Sequence, residues 1–167
     1  RLDEVVDLIK GPKGTKVRLE IQRGEGAARL LQVVELQRDA VRLEDRAAKS
    51  SVMMAEGKKI GVINIRSFYN NLHQDVIKEL EKLNKQKVDG ILIDLRDNGG
   101  GALSEATDLT GLFIKSGPVV QVRDSIGRVA TEEDTDGKSY YTGPLTILIN
   151  RYSASASEIF SAALSDY

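Results

Sequence analysis

Uninterrupted apolar runs, each followed by a polar or small-residue turn and then an amphipathic helix, constrain the fold of this chain more than any other feature. Two such runs are "GILIDL" and "LTILI", and strands that are covered on both faces typically read in this way. A third strand-like segment, "KKIGVINIRSFY", precedes the helical pattern "LHQDVIKELEKLNK". The alternation of strands and helices from residue 58 onward predicts an α/β fold with a largely parallel sheet.

The first part of the chain has a different pattern. Its predicted elements are a short helix ended by Gly11-Pro12, a strand at Lys16 to Gln22 and a strand near Leu30 to Leu36. The charged stretch "QRDAVRLEDRAAKS" is typical of a solvated linker with a short strand inside it. We therefore place a domain boundary near residue 40, between a small module at 1–40 and a main domain at 41–167.

Within the main domain, the apolar residues of the first helical pattern recur at helical spacing and predict a buried face. They are Leu72, Val76, Leu80 and Leu83. Farther along, "VVQVRDSIGRV" predicts a β-hairpin, and "TEEDTDGKSYYTGP" predicts a polar loop.

Composition excludes several classes of function. The 24 Lys and Arg residues nearly balance the 25 Asp and Glu residues, so we expect no nucleic-acid partner, which a basic excess would favour. The absence of cysteine excludes disulfides and thiol catalysis. No apolar run approaches the roughly 20 residues that cross a bilayer. The sequence lacks phosphate-loop and dinucleotide-binding motifs, and we expect neither a cofactor nor a metal.

A glycine-rich turn follows the "GILIDL" strand. Asn98-Gly99-Gly100-Gly101 leaves the strand and leads into a helix, so its backbone N–H groups are unobstructed by side chains and lie near the positive end of a helix dipole. Such N–H groups suit a developing anion. A tight turn with no further role is the other interpretation of the same residues.

The serine cluster "NRYSASASEIFSAAL" follows the "LTILI" strand. Ser155 and Glu158 have the spacing of a capping box, which needs no catalysis. The setting of strand, sharp turn and helix is also that of a nucleophilic serine, and the neighbouring small residues leave room for a substrate backbone. The flanking serines, Ser153 and Ser157, are alternative nucleophiles at this stage.

A nucleophilic serine needs a base, and the sequence offers none that is well placed. The single histidine, His73, follows the core-facing Leu72, which predicts a surface position. No lysine follows Lys138, which lies in the polar loop and is expected to be solvated. The chain starts at Arg1 within a helical pattern and stops at Tyr167 directly after one. We expect an excised piece of a longer protein, with any dyad lysine outside it.

Together, "GILIDLRDNGGGALSEATDLTGLFI", "GPVVQVRD" and "RYSASASEIFSAAL" closely resemble the tail-specific, or C-terminal processing, proteases of bacteria. These are serine peptidases of family S41 with a Ser-Lys dyad. The resemblance implies a ClpP/crotonase-like layered protease core, here truncated at 41–167. The opening "RLDEVVDLIKGPKGTKVRLEI" resembles the end of the PDZ domain that precedes that core, which makes residues 1–40 its C-terminal portion.

Carried over by position, the resemblance implies Ser155 as the nucleophile. It implies an oxyanion hole made by the backbone N–H groups of Gly100 or Gly101 and of Ala156. Glu158 and Asp166 match positions with supporting roles. The family lysine lies in a glycine-rich motif beyond Tyr167, so the isolated chain is expected to be inactive.

The resemblance also implies partners and a location. Expected substrates are proteins or peptides with apolar C-termini, with adaptor or regulator proteins as further partners, and the expected location is the periplasm. Self-association of the fragment through an uncovered sheet edge is a further expectation. Two other functions remain open: a non-catalytic ligand-binding module of the same fold, and a crotonase-like acyl-CoA enzyme that uses paired N–H groups without a serine.

Overall fold

The computed structural model describes residues 5, 8–24, 30–39 and 47–167. The chain forms two compact units, Arg1–Asp45 and Arg46–Tyr167. The first unit contains an antiparallel pair, β1 (Lys16–Arg23) and β2 (Leu30–Gln37). Both predicted strands of this unit are therefore confirmed to within one residue at their ends. Of the predicted N-terminal helix, residues 5, 8 and 9 are helical, and the rest of its core lies outside the described residues.

The second unit contains the alternating elements that the apolar runs predict. They are β3 (Lys49–Ala55), β4 (Lys58–Asn64), α1 (Leu72–Lys85), β5 (Gly90–Asp94), α2 (Leu103–Gly111), β6 (Gly117–Arg123), β7 (Val129–Asp134), β8 (Leu145–Leu148) and α3 (Ala156–Asp166). A four-stranded sheet has the order β3-β4-β5-β8. Strands β4, β5 and β8 are parallel, whereas β3 is antiparallel to β4. The mixed α/β fold and the largely parallel sheet are thus confirmed.

Two sequence interpretations of this unit need correction. The segment expected to be a linker with a short strand ends in β3, which pairs with β4 along its whole length. The turn between them is Glu56-Gly57, where both residues have positive φ angles, 50° and 77°. The predicted polar loop is also shorter than expected, because Thr131–Asp134 belongs to β7 and pairs with β6. Most of β7 is exposed, so cross-strand hydrogen bonds hold polar residues in a strand there.

The main core lies between the sheet and the helices. Leu72, Val76, Leu80 and Leu83 of α1 are at most 1% exposed, which confirms the predicted buried face. Phe160 of α3 is fully buried and its ring lies 6.3 Å from that of Phe68. Among the described residues, every helix is too short or too polar to cross a lipid bilayer.

The parallel strands bring the unusual turns of the sequence together. In parallel α/β sheets the carboxyl ends of the strands lie at one edge, where connecting turns and helix N-termini collect. The segments that follow β4, β5 and β8 therefore meet at this edge of the sheet. The glycine-rich turn follows β5, and the serine cluster follows β8.

Candidate active site

Ser155 lies at a strained turn between β8 and α3. It is the N-cap residue of α3 and has φ 55° and ψ −117°. A residue with a side chain rarely adopts a positive φ, and such strain clusters at functional sites. The sharp turn leaves Ser155 exposed, whereas the next two residues are buried. This is the geometry in which a strand-to-helix turn presents a serine hydroxyl to solvent.

Glu158 stabilises this turn through the main chain. The N–H group of Ser155 donates to Oε2 of Glu158 at 2.8 Å, and the N–H group of Glu158 donates to the carbonyl oxygen of Ser155 at 2.9 Å. The carboxylate arm of the predicted capping box is therefore present. Because Glu158 holds the backbone of Ser155 in its strained conformation, capping and nucleophilic attack are compatible at this turn rather than alternatives.

The two flanking serines have a different role. The hydroxyl of Ser153 donates to the carbonyl oxygen of Leu95 at 2.8 Å, and that of Ser157 donates to the carbonyl oxygen of Asn98 at 2.9 Å. Ser157 is fully buried. Both hydroxyls thus tie the serine turn to the segment that follows β5. Of the three serines, Ser155 is the one that lies on the exposed side of the turn.

Gly100 packs directly against the serine turn. Its φ angle is 95°, and a Cβ atom at this position would lie 2.7 Å from the carbonyl oxygen of Ala154 and 2.9 Å from the nitrogen of Ala156. Gly101 has φ 152°, and a Cβ atom there would collide with the carbonyl group of Phe68. Only glycine fits both positions, because each combines a left-handed backbone with a close approach to another main chain.

The backbone N–H groups of the glycine turn are not equivalent. The N–H group of Gly100 donates to Oδ1 of Asn98 at 2.8 Å. On either side of Gly101, the carbonyl of Gly100 and the N–H group of Ala102 both bond to Phe68. Because N–H directions alternate along an extended chain, the N–H group of Gly101 points away from Phe68. Gly100, one of the two candidate donors, is thus already engaged, whereas Gly101 is exposed.

Ala156 supplies a second N–H group at the same place. It is the first residue of α3, so its N–H group has no acceptor within the helix. The approach of Gly100 to its nitrogen places this group next to the glycine turn.

Asn98 is a site residue whose role sequence reasoning missed. It is fully buried and its side chain joins two turns, since Nδ2 donates to the carbonyl of Ile65 at 2.9 Å and Oδ1 accepts from Gly100. Its carbonyl oxygen accepts from Ala154 at 3.1 Å and from the Ser157 hydroxyl. One residue therefore connects the segments after β4, β5 and β8. Its only signal in the sequence is its position before three glycines.

A second set of contacts supports the same edge of the sheet. The carboxylate of Asp94 receives two hydrogen bonds from the guanidinium of Arg96, at 2.9 Å and 2.6 Å. These bonds hold the pKa of Asp94 below its usual range, against the opposing effect of burial. Asp97 and Asn150 exchange two hydrogen bonds, at 3.0 Å and 2.9 Å. The turns after β5 and β8 are thus also joined just before the glycines.

Three other candidates lie elsewhere. His73 was expected at the surface; its side chain is half-buried, 25% exposed, and its Nδ1 atom lies 2.9 Å from Oε2 of Glu105. It is partly covered by α2 and lies away from the serine turn. Asp166 is exposed at the far end of α3, about 16 Å from Ser155 at 1.5 Å of rise per residue. Lys138 is exposed, as predicted.

A serine on a strained strand-to-helix turn, next to a glycine turn on a parallel α/β sheet, is the arrangement of a serine hydrolase. Residues 59–167 match the model of peptidase family S41. The chain therefore belongs to peptidase family S41, and the predicted resemblance is confirmed.

Individual relatives agree with this family. The chain is 54% identical to the tail-specific protease of Haemophilus influenzae over 167 residues, which is all of this chain and 24% of that protein. It is 34% identical to the carboxyl-terminal-processing protease of Synechocystis over 99% of this chain and 38% of that protein. The solved structure of the photosystem II D1 C-terminal processing protease matches 99% of this chain and 44% of its own, with a TM-score of 0.75 and 27% identity. The chain thus spans between 24% and 44% of the length of these relatives.

Proposed function

We propose that this chain carries the nucleophile and the oxyanion hole of a serine endopeptidase that cleaves proteins selected by their C-terminal tails. The observation that carries the proposal is the strained backbone of Ser155, held by Glu158 and packed against Gly100. A backbone strain of this kind persists only where surrounding contacts enforce it. The family membership supplies the reaction class, which is hydrolysis of a peptide bond.

In the proposed mechanism, Oγ of Ser155 attacks the scissile carbonyl carbon while its proton passes to a general base. The carbonyl oxygen becomes an oxyanion, and the N–H groups of Gly101 and Ala156 donate to it. The base then protonates the leaving amine, which leaves the acyl group on Ser155. Water, deprotonated by the same base, releases the acid product and restores the hydroxyl.

Gly100 contributes by position rather than as a donor. Its N–H group is held by Asn98, and its missing side chain lets the two turns approach. The oxyanion pair of this proposal is therefore Gly101 and Ala156. Glu158 supports Ser155 by accepting a hydrogen bond from the backbone N–H group of Ser155. Asp166 lies at the other end of α3, so a supporting role for it acts through that helix.

The general base of the proposal is a lysine outside residues 1–167. The sequence contains no lysine after Lys138, and that residue is exposed in a polar segment. The contact of His73 with Glu105 gives the one histidine a partner on α2. A lysine acts as a base only when burial lowers its pKa from about 10.4. Residues 1–167 by themselves are therefore expected to hydrolyse no protein.

The remaining parts of the proposal rest on the family. Residues 1–40 are the C-terminal portion of a PDZ domain, and residues 41–167 are part of a ClpP/crotonase-like layered protease core. Substrates are unfolded proteins with apolar C-termini, and adaptor proteins regulate access to them. The protein acts in the periplasm. Strand β8 is an outer strand of the described sheet, and such an edge favours self-association of the isolated chain.

The test compares residues 1–167 with the full-length protein on an unfolded substrate that ends in an apolar tail. Only the full-length protein is expected to cleave it, and Ser155→Ala should abolish cleavage without changing thermal unfolding. Cleavage by residues 1–167 that Ser155→Ala abolishes would show that the base lies inside this chain. Cleavage by full-length Ser155→Ala at the normal rate would refute the nucleophile.

Two binding measurements on the full-length protein separate the two alternative functions. A non-catalytic binding module would bind the unfolded substrate without cleaving it, in the full-length protein as well. A crotonase-like enzyme would bind an acyl-CoA, which a thermal-shift measurement detects. Neither outcome is expected for a member of a peptidase family.

A further inference from the structure

A polar pocket lies between the first turn of α1, helix α2 and the end of β7. Its lining residues include His73 and four acidic residues, Asp108, Glu133, Asp134 and Asp136. The residues of the serine turn are not among those that line it. A volume of about 490 Å³ leaves room for an ion and several water molecules. We call this cavity the acidic pocket.

Three potential metal ligands lie close together beside the acidic pocket, which His73 and Asp108 line and Glu105 does not. Nδ1 of His73 lies 2.9 Å from Oε2 of Glu105 and 3.7 Å from Oδ2 of Asp108. One ligand atom from each of the three residues lies within 4.8 Å of the others. Around a tetrahedral ion with bonds of about 2.1 Å, neighbouring ligand atoms are about 3.4 Å apart. The two measured separations lie on either side of that value.

Helix geometry explains why these side chains meet. Glu105 and Asp108 are three residues apart on α2 and therefore share one face of that helix. His73 lies in the first turn of α1, and Glu105 also accepts the N–H groups of Asn71 and His73. The two helices are thus fixed relative to each other at this point, and the His73 imidazole and the Glu105 carboxylate are held before any ion binds.

Unpartnered polar atoms in the same pocket point independently to a ligand. Thr107 is only 7% exposed and lines the acidic pocket, and its Oγ1 atom has no hydrogen-bond partner among the described residues. Oδ2 of Asp134 is likewise buried and without a partner there. Buried polar atoms almost always have a partner in the protein or in bound solvent. Bound water in the pocket, or the water ligands of an ion, would supply the missing partners of these two atoms.

The charges of the pocket favour a cation. Within residues 47–167, the basic side chain nearest to the Asp108 carboxylate is His73, at 3.7 Å. Asp134 forms no ion pair with a described residue in the same range. Burial, followed by the charge of Asp136, raises the pKa of Asp134. A bound cation would relieve this excess of negative charge.

We propose that His73, Glu105 and Asp108 bind one divalent metal ion of the Zn²⁺ class, with water from the acidic pocket completing its coordination. One imidazole and two carboxylates suit Zn²⁺ better than Mg²⁺, which prefers oxygen ligands alone. No motif in the sequence marks this site, because His73 and Glu105 are far apart in the chain and meet only when α1 packs on α2. The site joins those helices and is independent of the proposed peptidase reaction.

A purely structural role for the same residues makes a different prediction. Glu105 accepts the N–H groups of Asn71 and His73 at the start of α1, so this cap needs Glu105 and does not need Asp108. A metal site needs both, as well as His73. Asp108 has a side chain that is 49% exposed, so Asp108→Asn removes one ligand charge with little effect on folding. It is therefore the decisive variant.

The experiment is calorimetric titration of residues 1–167 with Zn²⁺, and separately with Mg²⁺. We expect one saturable Zn²⁺ site, no comparable Mg²⁺ site, and at least about tenfold weaker Zn²⁺ binding in Asp108→Asn and in His73→Gln. The matched control is Glu81→Gln, which removes an exposed carboxylate from α1 about 12 Å along the helix from His73. This control should bind Zn²⁺ as the unaltered chain does.

A spectroscopic measurement guards against a folding effect. Co²⁺ in a site with a histidine ligand and low coordination number absorbs visible light, and this absorption should be present in the unaltered chain and absent in His73→Gln. Thermal unfolding without metal should be the same for Asp108→Asn and Glu81→Gln. Equal Zn²⁺ affinity in all variants, or no saturable Zn²⁺ binding by the unaltered chain, would overturn the proposal.

Discussion

Gly100→Ala is the change that most directly tests how the two turns form one site. The new Cβ atom would lie 2.7 Å from the carbonyl oxygen of Ala154 and 2.9 Å from both the nitrogen of Ala156 and Cβ of Ser155. Ordinary contacts begin at 3.4 Å, so the serine turn must move by 3.4 − 2.7 = 0.7 Å. A displacement of about 1 Å at reacting groups costs about 10² in rate. We therefore expect kcat of the full-length protein to fall by about 10².

The same substitution also lowers stability. Alanine at φ 95° costs about 1–2 kcal/mol relative to glycine, and displacement of the serine backbone adds a cost of about 1–3 kcal/mol, so the melting temperature falls. The matched control is Gly99→Ala, because a Cβ atom at Gly99 meets nothing within 4 Å. The assay measures kcat and KM for an unfolded protein substrate, together with thermal unfolding. If Gly100→Ala retained kcat within about threefold of Gly99→Ala, the close packing of the two turns would not matter for catalysis.

Three further changes test neighbouring parts of the structure. Asn98→Ala removes the bonds to Ile65 and Gly100, and steady-state kinetics should show a fall in kcat of about 10² with KM nearly unchanged; an equal rise in KM would contradict a positioning role. Ser157→Ala should lower the free energy of unfolding by about 1 kcal/mol in a denaturant titration while cleavage continues, and an inactive but folded variant would make Ser157 a reacting group. Burial raises the pKa of Tyr69 to about 12, so the folded state keeps the phenol proton longer than the unfolded state does. Its stabilising contribution should be complete below pH 10 and lost as the pH approaches 12, so urea titrations across this range should show a smaller loss of stability in Tyr69→Phe.

The elements that depend on local sequence were predictable. Continuous apolar runs indicated the parallel strands β5 and β8, and the four leucine and valine positions of α1 indicated its buried face. The strained turn at Ser155 also has a local signature, since small residues surround it and Glu158 follows at capping distance. In each case the information lies within one element. The hydrophobic periodicity or the residue spacing along that element determines which residues are buried and which cap a helix.

Contacts between distant segments were not predictable in the same way. The link from Asn98 to Ile65, and those from Ser153 and Ser157 to the segment after β5, join residues that are 33 to 59 positions apart. No periodicity marks such a pair, because each partner satisfies a backbone group that only the packed sheet brings near. The same reason explains why the contact of His73 with Glu105 of α2 was not predicted. Strand β3 was underestimated because its polar residues become strand-like only through pairing with β4.

Identification of the attacking oxygen tests the central claim most directly. The full-length protein is treated with a peptidyl fluorophosphonate that ends in an apolar residue, and the labelled peptide is mapped by mass spectrometry. A nucleophilic hydroxyl displaces fluoride and keeps the phosphorus, so the adduct marks the reacting atom. We expect a single adduct on Oγ of Ser155, lost in Ser155→Ala and retained in Ser153→Ala. An adduct on Ser153 or Ser157, or labelling that persists in Ser155→Ala, would contradict the assignment of Ser155 as the nucleophile.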